Sequence, residues 1–160
     1  MSLSKESTKW LEGLVVLGSG ITAGFTFYIT HIEIPSREKD TGAYCLANYQ
    51  HVFPLAANFM KPFGVLLSSV TGTVLYQTKK PMWWIPLLTI GSLGPFTKIF
   101  IVDTNEQLMA MKPMNVRTPD EDAKAKELVQ KWGKLHNIRT YLTLVGFSTA
   151  VVAAMDLITF

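Results

Sequence analysis

A chain of 160 residues has room for one compact domain, and 48% of these residues are hydrophobic while only 17% are charged. Soluble domains usually carry about 25% charged residues, and here the charges crowd into a few short stretches between long apolar runs. The formal net charge of +3 is small and dispersed, so it gives no reason to expect nucleic-acid binding. The single cysteine, Cys45, excludes an internal disulfide. Composition therefore predicts one integral membrane domain and excludes a soluble one.

Four apolar segments follow one another along the chain, and each is predicted to form a transmembrane helix. The predicted spans are 11–30, 52–76, 82–102 (the helix extending to about residue 111) and 135–157. A span of this length crosses a hydrocarbon core of roughly 30 Å, and only helices or closed barrels satisfy the backbone in lipid. Short connections between the spans predict an all-α, up-down-up-down four-helix bundle over residues 1–160.

Local signals mark packing faces and helix ends within this pattern. Gly20 and Gly24, four residues apart in the first segment, allow close approach of a second helix. Trp83 and Trp84 open the third segment as an aromatic anchor of the kind found at membrane interfaces. The charged stretch 112–131 is predicted to be a surface loop that contains a helix start at Thr118-Pro119.

Polar residues gather at one end of the predicted bundle, which we call the polar end. In an up-down-up-down bundle, the loops after the first and third helices lie on the same side of the membrane. His31, His51 and His136 therefore share the polar end, and Asn105 follows the third helix there. We expect the functional site at this end. More basic residues flank the polar end than the opposite end, so the positive-inside rule places the polar end in the cytoplasm.

Helix four carries polar residues on one face, because Trp132, His136, Arg139 and Thr140 follow i, i+4, i+7 and i+8 spacing. Arg139 is either a lipid-facing arginine with its charge in the headgroups or an inward arginine that binds an anionic oxygen. His136 has two equally weighted interpretations, a helix-start histidine satisfied by backbone or a functional base. Lys61 and Lys98 are most simply interpreted as residues that reach the headgroups, and Asn58 as a partner in an interhelical hydrogen bond.

Several motifs together resemble the anthrone oxygenase family of small four-helix membrane proteins. These motifs are Ala23-Gly24-Phe25, Asn58-x-x-x-Pro62, Gly94-Pro95-Phe96-Thr97, Asn105-x-x-Leu108 and Trp132-x-x-x-His136-Asn137-Ile138-Arg139-Thr140. The resemblance extends over nearly the whole chain. One departure is Asp103-Thr104-Asn105, where members commonly have Pro-x-Asn. The family occurs in fungal aromatic polyketide pathways and includes bacterial relatives without an assigned reaction, so the resemblance bears more strongly on the fold than on the substrate.

The resemblance implies a membrane-bound oxygenase that converts an anthrone to an anthraquinone with O2 and without a cofactor. An anthrone methylene is acidic, and its anion, the anthranolate, is electron-rich enough to react with oxygen directly. The protein would supply a base, an oxyanion stabiliser and a dry pocket. These roles are expected of His136 as base, Arg139 as oxyanion stabiliser and Asn105 as donor to the carbonyl side.

Substrate-binding residues are expected around this catalytic group. They are Thr97, Phe96, Trp132, Asn137, Tyr141, His31 and Asn58. The sequence has no nucleotide, haem or zinc-protease motif, but one alternative stays open. His31, His51 and His136, with Glu33 or Asp103 nearby, would suit a non-haem iron or copper ion.

Two other classes of function remain open at this point. The chain would be a non-catalytic membrane helper or carrier, or an oxidase of the same fold that acts on another phenolic substrate. An enclosed pocket at the polar end would favour an enzyme over a helper. The expected partners are a small aromatic polyketide and membrane lipid, with no nucleic acid, and a homo-oligomer is compatible with the sequence. The expected location is an internal membrane such as the endoplasmic reticulum.

Overall fold

The computed structural model describes residues 3–39, 41–112 and 117–157, and within these ranges it contains helices and no strand. The first helical segment consists of α1 (Lys5–Tyr28), a π-helical turn (Ile29–Glu33) and α2 (Ile34–Glu38). The second segment is one long helix, α3 (Gly42–Thr78), which continues through Pro54 and Pro62.

The third and fourth helical segments complete the bundle. The third contains, in order, a 3-10 turn (Pro81–Trp83), α4 (Trp84–Gly91), α5 (Leu93–Phe96), a π-helical turn (Thr97–Ile101) and α6 (Val102–Ala110). The fourth is a single helix, α7 (Pro119–Ala154), which contacts each of the other three segments. The all-α fold predicted from the hydropathy pattern is confirmed.

Contacts between chain-distant residues show that neighbouring segments are antiparallel. At the polar end, the Gln50 side chain donates to the carbonyl oxygens of Leu108 (2.9 Å) and Met111 (3.1 Å). At the opposite end, which we call the plain end, the backbone N–H of Leu3 donates to Gln77 (3.2 Å). The described residues thus form the up-down-up-down arrangement expected from the short connections.

An ion-pair cluster fastens the plain end. Glu12 is almost fully buried on α1, and its carboxylate lies 2.7 Å from the ammonium of Lys9 and 3.7 Å from that of Lys80. Asp156, just beyond α7, pairs with both lysines. The cluster therefore joins the first segment to the ends of the second and fourth segments. It also compensates the buried Glu12 carboxylate, whose removal from water would otherwise destabilise the fold.

The helices extend far beyond the apolar spans at the polar end. α3 begins at Gly42 and α7 at Pro119, so the second half of the charged stretch 112–131, expected to be a loop, is helical. The reason is a buried hydrophobic cluster at the polar end, which includes Cys45, Leu46, Tyr49, Leu108, Ala125, Leu128 and Val129. A hydropathy average misses these helices because their apolar residues occupy one face only.

The start of α7 has the local structure that the sequence predicts. The Thr118 hydroxyl accepts a hydrogen bond from the Glu121 N–H (3.3 Å), and the Glu121 carboxylate accepts one from the Thr118 N–H (2.7 Å). This reciprocal capping box satisfies two helix-end donors. The hydrogen bond from the Thr118 backbone also lowers the pKa of the Glu121 carboxyl below its ordinary value.

Close packing between segments depends on particular glycines. A Cβ atom built on Gly20 would lie 3.1 Å from the Phe147 ring of α7, whereas one built on Gly24 would meet nothing within 4 Å. Only the first glycine of the predicted small-residue motif therefore faces a neighbouring helix. Gly42 is tighter still, since a Cβ there would lie 2.2 Å from the Asp122 carbonyl oxygen.

The Gly42 contact gives a prediction about stability. Gly42→Ala should lower the free energy of unfolding by about 1–3 kcal/mol, because backbone of α7 must move to admit the methyl group. Gly24→Ala, where the methyl enters open space, should leave stability unchanged or raised, since alanine favours helix. Thermal unfolding in detergent, followed by circular dichroism, measures both, and an unchanged Gly42→Ala variant would contradict the contact.

Candidate functional site

A cavity of about 680 Å³ lies between the helical segments. This volume is typical of small-molecule sites. Its walls come from α1, α3, the third segment and α7, and much of its length is lined by apolar or small residues such as Ala56, Ala57, Met60 and Gly64. Polar side chains are concentrated where the cavity reaches the polar end, so the site has an apolar body and a polar head.

Both π-helical turns contribute to the cavity wall. Ile29 and Glu33 come from the first turn, and Thr97 and Lys98 come from the second. A π-helical turn inserts one residue into a helix, which rotates every residue after it around the helix axis. The insertion decides which residues of α2 and α6 face the interior, and such insertions are frequent at functional sites.

Half of the predicted site residues line the cavity. His136, Arg139 and Trp132 of α7 do so, together with Asn105 of α6 and Thr97 of the π-helical turn. The i, i+4, i+7 face predicted for helix four is therefore the face that the cavity uses. Among the predicted catalytic residues, the described structure thus brings together His136, Arg139 and Asn105 from two consecutive segments.

The remaining predicted site residues do not line the cavity. Phe96 packs against the buried cluster at the polar end, and Tyr141 is 60% exposed because it lies two residues, about 200°, around the helix from Arg139. His31 and Asn58 are exposed, with the His31 ring 4.3 Å from that of Phe27. Asn137 is half-buried, and its side-chain oxygen has no hydrogen-bond partner among the described residues.

Five residues of the cavity wall were not predicted as catalytic or substrate-binding residues from the sequence. Arg37, one of the basic residues that flank the polar end, is buried and pairs with Glu33 and with the Asn48 oxygen (2.7 Å). Tyr49 and Glu33 also face the cavity, as do Lys61 and Lys98. The i, i+4 spacing of Glu33 and Arg37 could have predicted their ion pair. That spacing brings two side chains together only on a helix, and the predicted first helix ended at residue 30.

A chain of threonine hydroxyls orients the His136 ring. The Thr140 hydroxyl donates to the Thr26 carbonyl oxygen (3.0 Å), so its single proton is used. The Thr30 hydroxyl, 2.7 Å from Thr140, must then donate to it, and it accepts from His136 Nδ1 at 3.1 Å. Neutral His136 therefore carries its proton on Nδ1, and Nε2, which has no partner among the described residues, is left as the acceptor.

Aromatic rings form one side of the polar head. The Trp132 ring lies 4.8 Å from the His136 ring and meets the Tyr49 ring edge to face at 5.3 Å. Tyr49 also stacks on Phe53 at 5.2 Å. The Tyr49 hydroxyl donates to the Asn105 side-chain oxygen (2.7 Å), which leaves the Asn105 amide NH2 group available to a ligand. This wall suits a flat aromatic molecule with an acceptor oxygen at its edge.

Arg139 has no counter-ion among the described residues. Its Nε is buried without a hydrogen-bond partner, and the part of the chain that the structure describes offers its guanidinium no ion pair. The described cavity wall contains four basic side chains, Arg37, Lys61, Lys98 and Arg139, against the single carboxylate of Glu33. A ligand that brings a negative or developing negative charge would complete this arrangement.

The three histidines considered as a metal site are not brought together. Only His136 lines the cavity, whereas His31 and His51 are exposed outside it. Across residues 3–39, 41–112 and 117–157, no group of three histidine, cysteine, aspartate or glutamate side chains is placed to hold a metal ion.

The threonine chain predicts the tautomer of His136. In Thr30→Val the acceptor for Nδ1–H is lost, so the proton should shift toward Nε2, while Thr30→Ser should preserve the wild-type tautomer. Nitrogen-15 NMR of histidine-labelled protein in detergent distinguishes the two ring nitrogens, and a His136→Gln sample assigns the signal. A tautomer unaffected by Thr30→Val would contradict the arrangement.

The unpaired charge of Arg139 predicts that this residue lowers the stability of the ligand-free protein. Arg139→Met should raise the stability of the ligand-free protein by about 1–2 kcal/mol, because an uncompensated guanidinium leaves an apolar cavity. Lys131→Met, an exposed position of the same helix, should change stability little. Thermal unfolding of the three proteins gives the comparison, and a destabilised Arg139→Met protein would mean that another residue neutralises the charge.

Comparison with known proteins identifies the family of this chain. A protein-family model described as anthrone oxygenase matches residues 49–149, a range that contains Asn105, His136 and Arg139. An anthrone oxygenase from Claviceps purpurea (strain 20.1) is 29% identical over 144 residues, which is 83% of this chain and 82% of the relative. No solved structure matches the chain significantly. Because the family match covers more than half of the sequence, the chain belongs to the anthrone oxygenase family.

Proposed function

We propose that this protein is an integral membrane oxygenase that converts an anthrone-type aromatic polyketide to the anthraquinone with O2. The observation that carries the proposal is the convergence of His136, Arg139 and Asn105 on one largely apolar cavity of about 680 Å³. Family membership supports an oxygenase acting on polyketides, as does the name of the relative, anthrone oxygenase. The cavity also favours an enzyme over a non-catalytic helper, which would need no cavity of ligand size at the polar end.

The surface of the bundle supports a membrane location. Two helices, Lys5–Arg37 and Pro81–Ala110, are long and apolar enough to cross a membrane. In the second, only 17% of the most apolar 18-residue stretch is buried within the protein. Large apolar side chains are exposed on all four segments, including Trp10 (71%), Leu55 (64%), Ile99 (71%) and Val145 (49%). A protein dissolved in water rarely exposes so much apolar surface, so we infer that lipid covers these faces.

The first chemical step would be removal of one methylene proton from the bound anthrone. The His136 lone pair on Nε2 is the group available to accept this proton, because Nδ1 already donates to Thr30. The negative charge that develops is spread over the conjugated carbonyl oxygen of the anthranolate. Arg139 and the free amide group of Asn105 would stabilise this oxygen, in a cavity where water competes little for their hydrogen bonds.

Reaction with oxygen then completes the oxidation without an added electron donor. The anthranolate transfers one electron to O2, and the resulting radical and superoxide combine to form a carbon–oxygen bond. Protonated His136 gives its proton to the peroxide, then removes the second hydrogen of the same carbon as the O–O bond breaks and hydroxide leaves. One oxygen atom becomes the quinone carbonyl, the other becomes water, and the substrate loses two hydrogens. Oxygen thus receives four electrons, all of them from the substrate.

We propose no cofactor for this sequence, since the anthranolate itself reduces O2. The substrate would be a flat phenolic tricycle, and an oxidase of the same fold acting on another acidic phenol is the closest alternative. The location proposed is an internal membrane such as the endoplasmic reticulum, with the polar end in the cytoplasm. The basic residues at that end support this orientation.

The decisive experiment measures oxygen consumption and quinone formation by detergent-purified protein given an anthrone such as emodin anthrone. Wild type should exceed the spontaneous rate, and His136→Gln should lower the enzymatic rate by about 100-fold or more, the usual contribution of a general base. His51→Gln, an exposed histidine outside the cavity, should keep wild-type activity. Metal analysis of the same sample tests the cofactor-free proposal separately.

Two outcomes would contradict parts of this proposal. Full activity in His136→Gln would remove that residue as the base while leaving the oxygenase in place. A well-folded wild-type protein that does not accelerate quinone formation would reject the anthrone reaction itself.

A further inference from the structure

The cavity is closed at the polar end and open along its side. The residues that line its head, Arg37, Tyr49 and Asn105, are all buried. Apart from Phe25, the cavity-lining residues that are exposed lie on α3 or the third segment, among them Lys61, Val65, Ser69, Gly91, Gly94 and Lys98. A cavity whose exposed lining residues lie along one pair of helices opens through the seam between those helices.

The packing of α3 against the third segment explains the opening. α3 contacts the 3-10 turn, α4 and α5 on the plain-end side and contacts α6 at the polar end, but it makes few close approaches to the π-helical turn Thr97–Ile101 between them. Glycines widen the gap on both sides. A Cβ built on Gly64 of α3 would meet nothing within 4 Å, and the same holds for Gly91 and Gly94 on the third segment.

The opening lies at the depth of the hydrocarbon core. Lys61 is 17 residues before Thr78, the last residue of α3, which is about 26 Å along a helix that rises 1.5 Å per residue. Ser69 lies about 14 Å from the same end by the same rise. If the plain end marks one membrane surface, the basic pair Lys61 and Lys98 sits near the opposite headgroups, and the gap from Gly64 to Ser69 faces lipid chains.

We infer that the seam between α3 and the third segment, bordered by Gly64 and Gly94, is a lateral portal through which a flat, lipid-dissolved aromatic ligand enters the cavity from the bilayer. Lys61 and Lys98 border the portal on its headgroup side, and neither has an ion-pair partner among the described residues. The ligand class rests on the proposed function, whereas the portal rests on burial and packing. Entry from lipid suits a substrate of low water solubility, and it keeps water away from the polar head.

The portal is tested by binding kinetics of a ligand that is not turned over. Emodin, a stable anthraquinone, is mixed with the full-length protein in lipid nanodiscs, and its association rate is followed by the fluorescence of the ligand. Gly64→Phe/Gly94→Phe should slow association by about tenfold or more, because the two rings would project into the open space beside these glycines in the seam. Gly24→Phe is the matched control, since Gly24 is also helical, and a Cβ there would also meet nothing within 4 Å, but it does not line the cavity. Its association rate should equal that of wild type.

A graded series keeps the test informative if the double phenylalanine variant does not fold. Ala, Leu and Phe at both glycines should slow association in order of size while circular dichroism shows unchanged helix content. Wild-type association in the folded Leu or Phe variants would overturn the portal, whatever the protein catalyses. Slow association in these variants, together with no quinone formation from emodin anthrone by wild type, would retain the portal and reject the proposed reaction.

Discussion

The interface between α1 and α7 holds the rest of the structure in place, and threonine hydroxyls join it at its centre. Thr26 and Thr143 are 2.7 Å apart across the interface, and Thr30 and Thr140 are equally close one turn further along. In a setting with little water, a hydroxyl that bonds a neighbouring helix fixes both the spacing and the register of the two helices. The same hydrogen bonds extend to His136, so the interface that sets the bundle also sets the orientation of the proposed base.

The opposite side of the bundle is packed less closely, and the cavity occupies that side. α7 contacts all three other segments, but α3 and the third segment separate where the third segment changes from α-helix to π-helical turn. Pro95 lacks a backbone donor, and Gly91 and Gly94 add no side-chain volume, so this stretch neither fills the space nor closes the seam. One tight interface and one loose one thus give a rigid polar head beside an accessible apolar body.

Electrostatics and packing make opposite demands on the polar head. Glu33 neutralises Arg37, and the Tyr49 hydroxyl donates a hydrogen bond to the Asn105 side-chain oxygen. No described residue neutralises Arg139. A structure selected for stability alone would place a methionine or leucine there, so the retained charge indicates a site that is completed by its ligand. The plain end shows the contrasting case, where the buried Glu12 carboxylate is paired with the ammonium groups of Lys9 and Lys80.

Helical periodicity explains which site residues the sequence could predict. Trp132, His136 and Arg139 lie on one helix, so their shared face follows from spacing alone. Tyr141 and Asn137 were also expected, but both are rotated away from the cavity, because nearness in sequence does not give a shared helix face. Glu33 and Arg37 could not be placed on the cavity wall from spacing, since the π-helical turn that ends at Glu33 shifts the helix face by one residue.

The sequence by itself determined the four helical segments, their alternating direction and the polar face of α7, because hydropathy and helix capping are local properties of the chain. It did not determine the polar extensions of α3 and α7, whose apolar residues become a core only when they meet each other. Tertiary structure alone decided that Tyr49 and Arg37 join Asn105, His136 and Arg139 around one cavity. That assembly depends on side chains from four segments and on the rotation that two π-helical turns introduce, and neither is encoded in the spacing of any single segment.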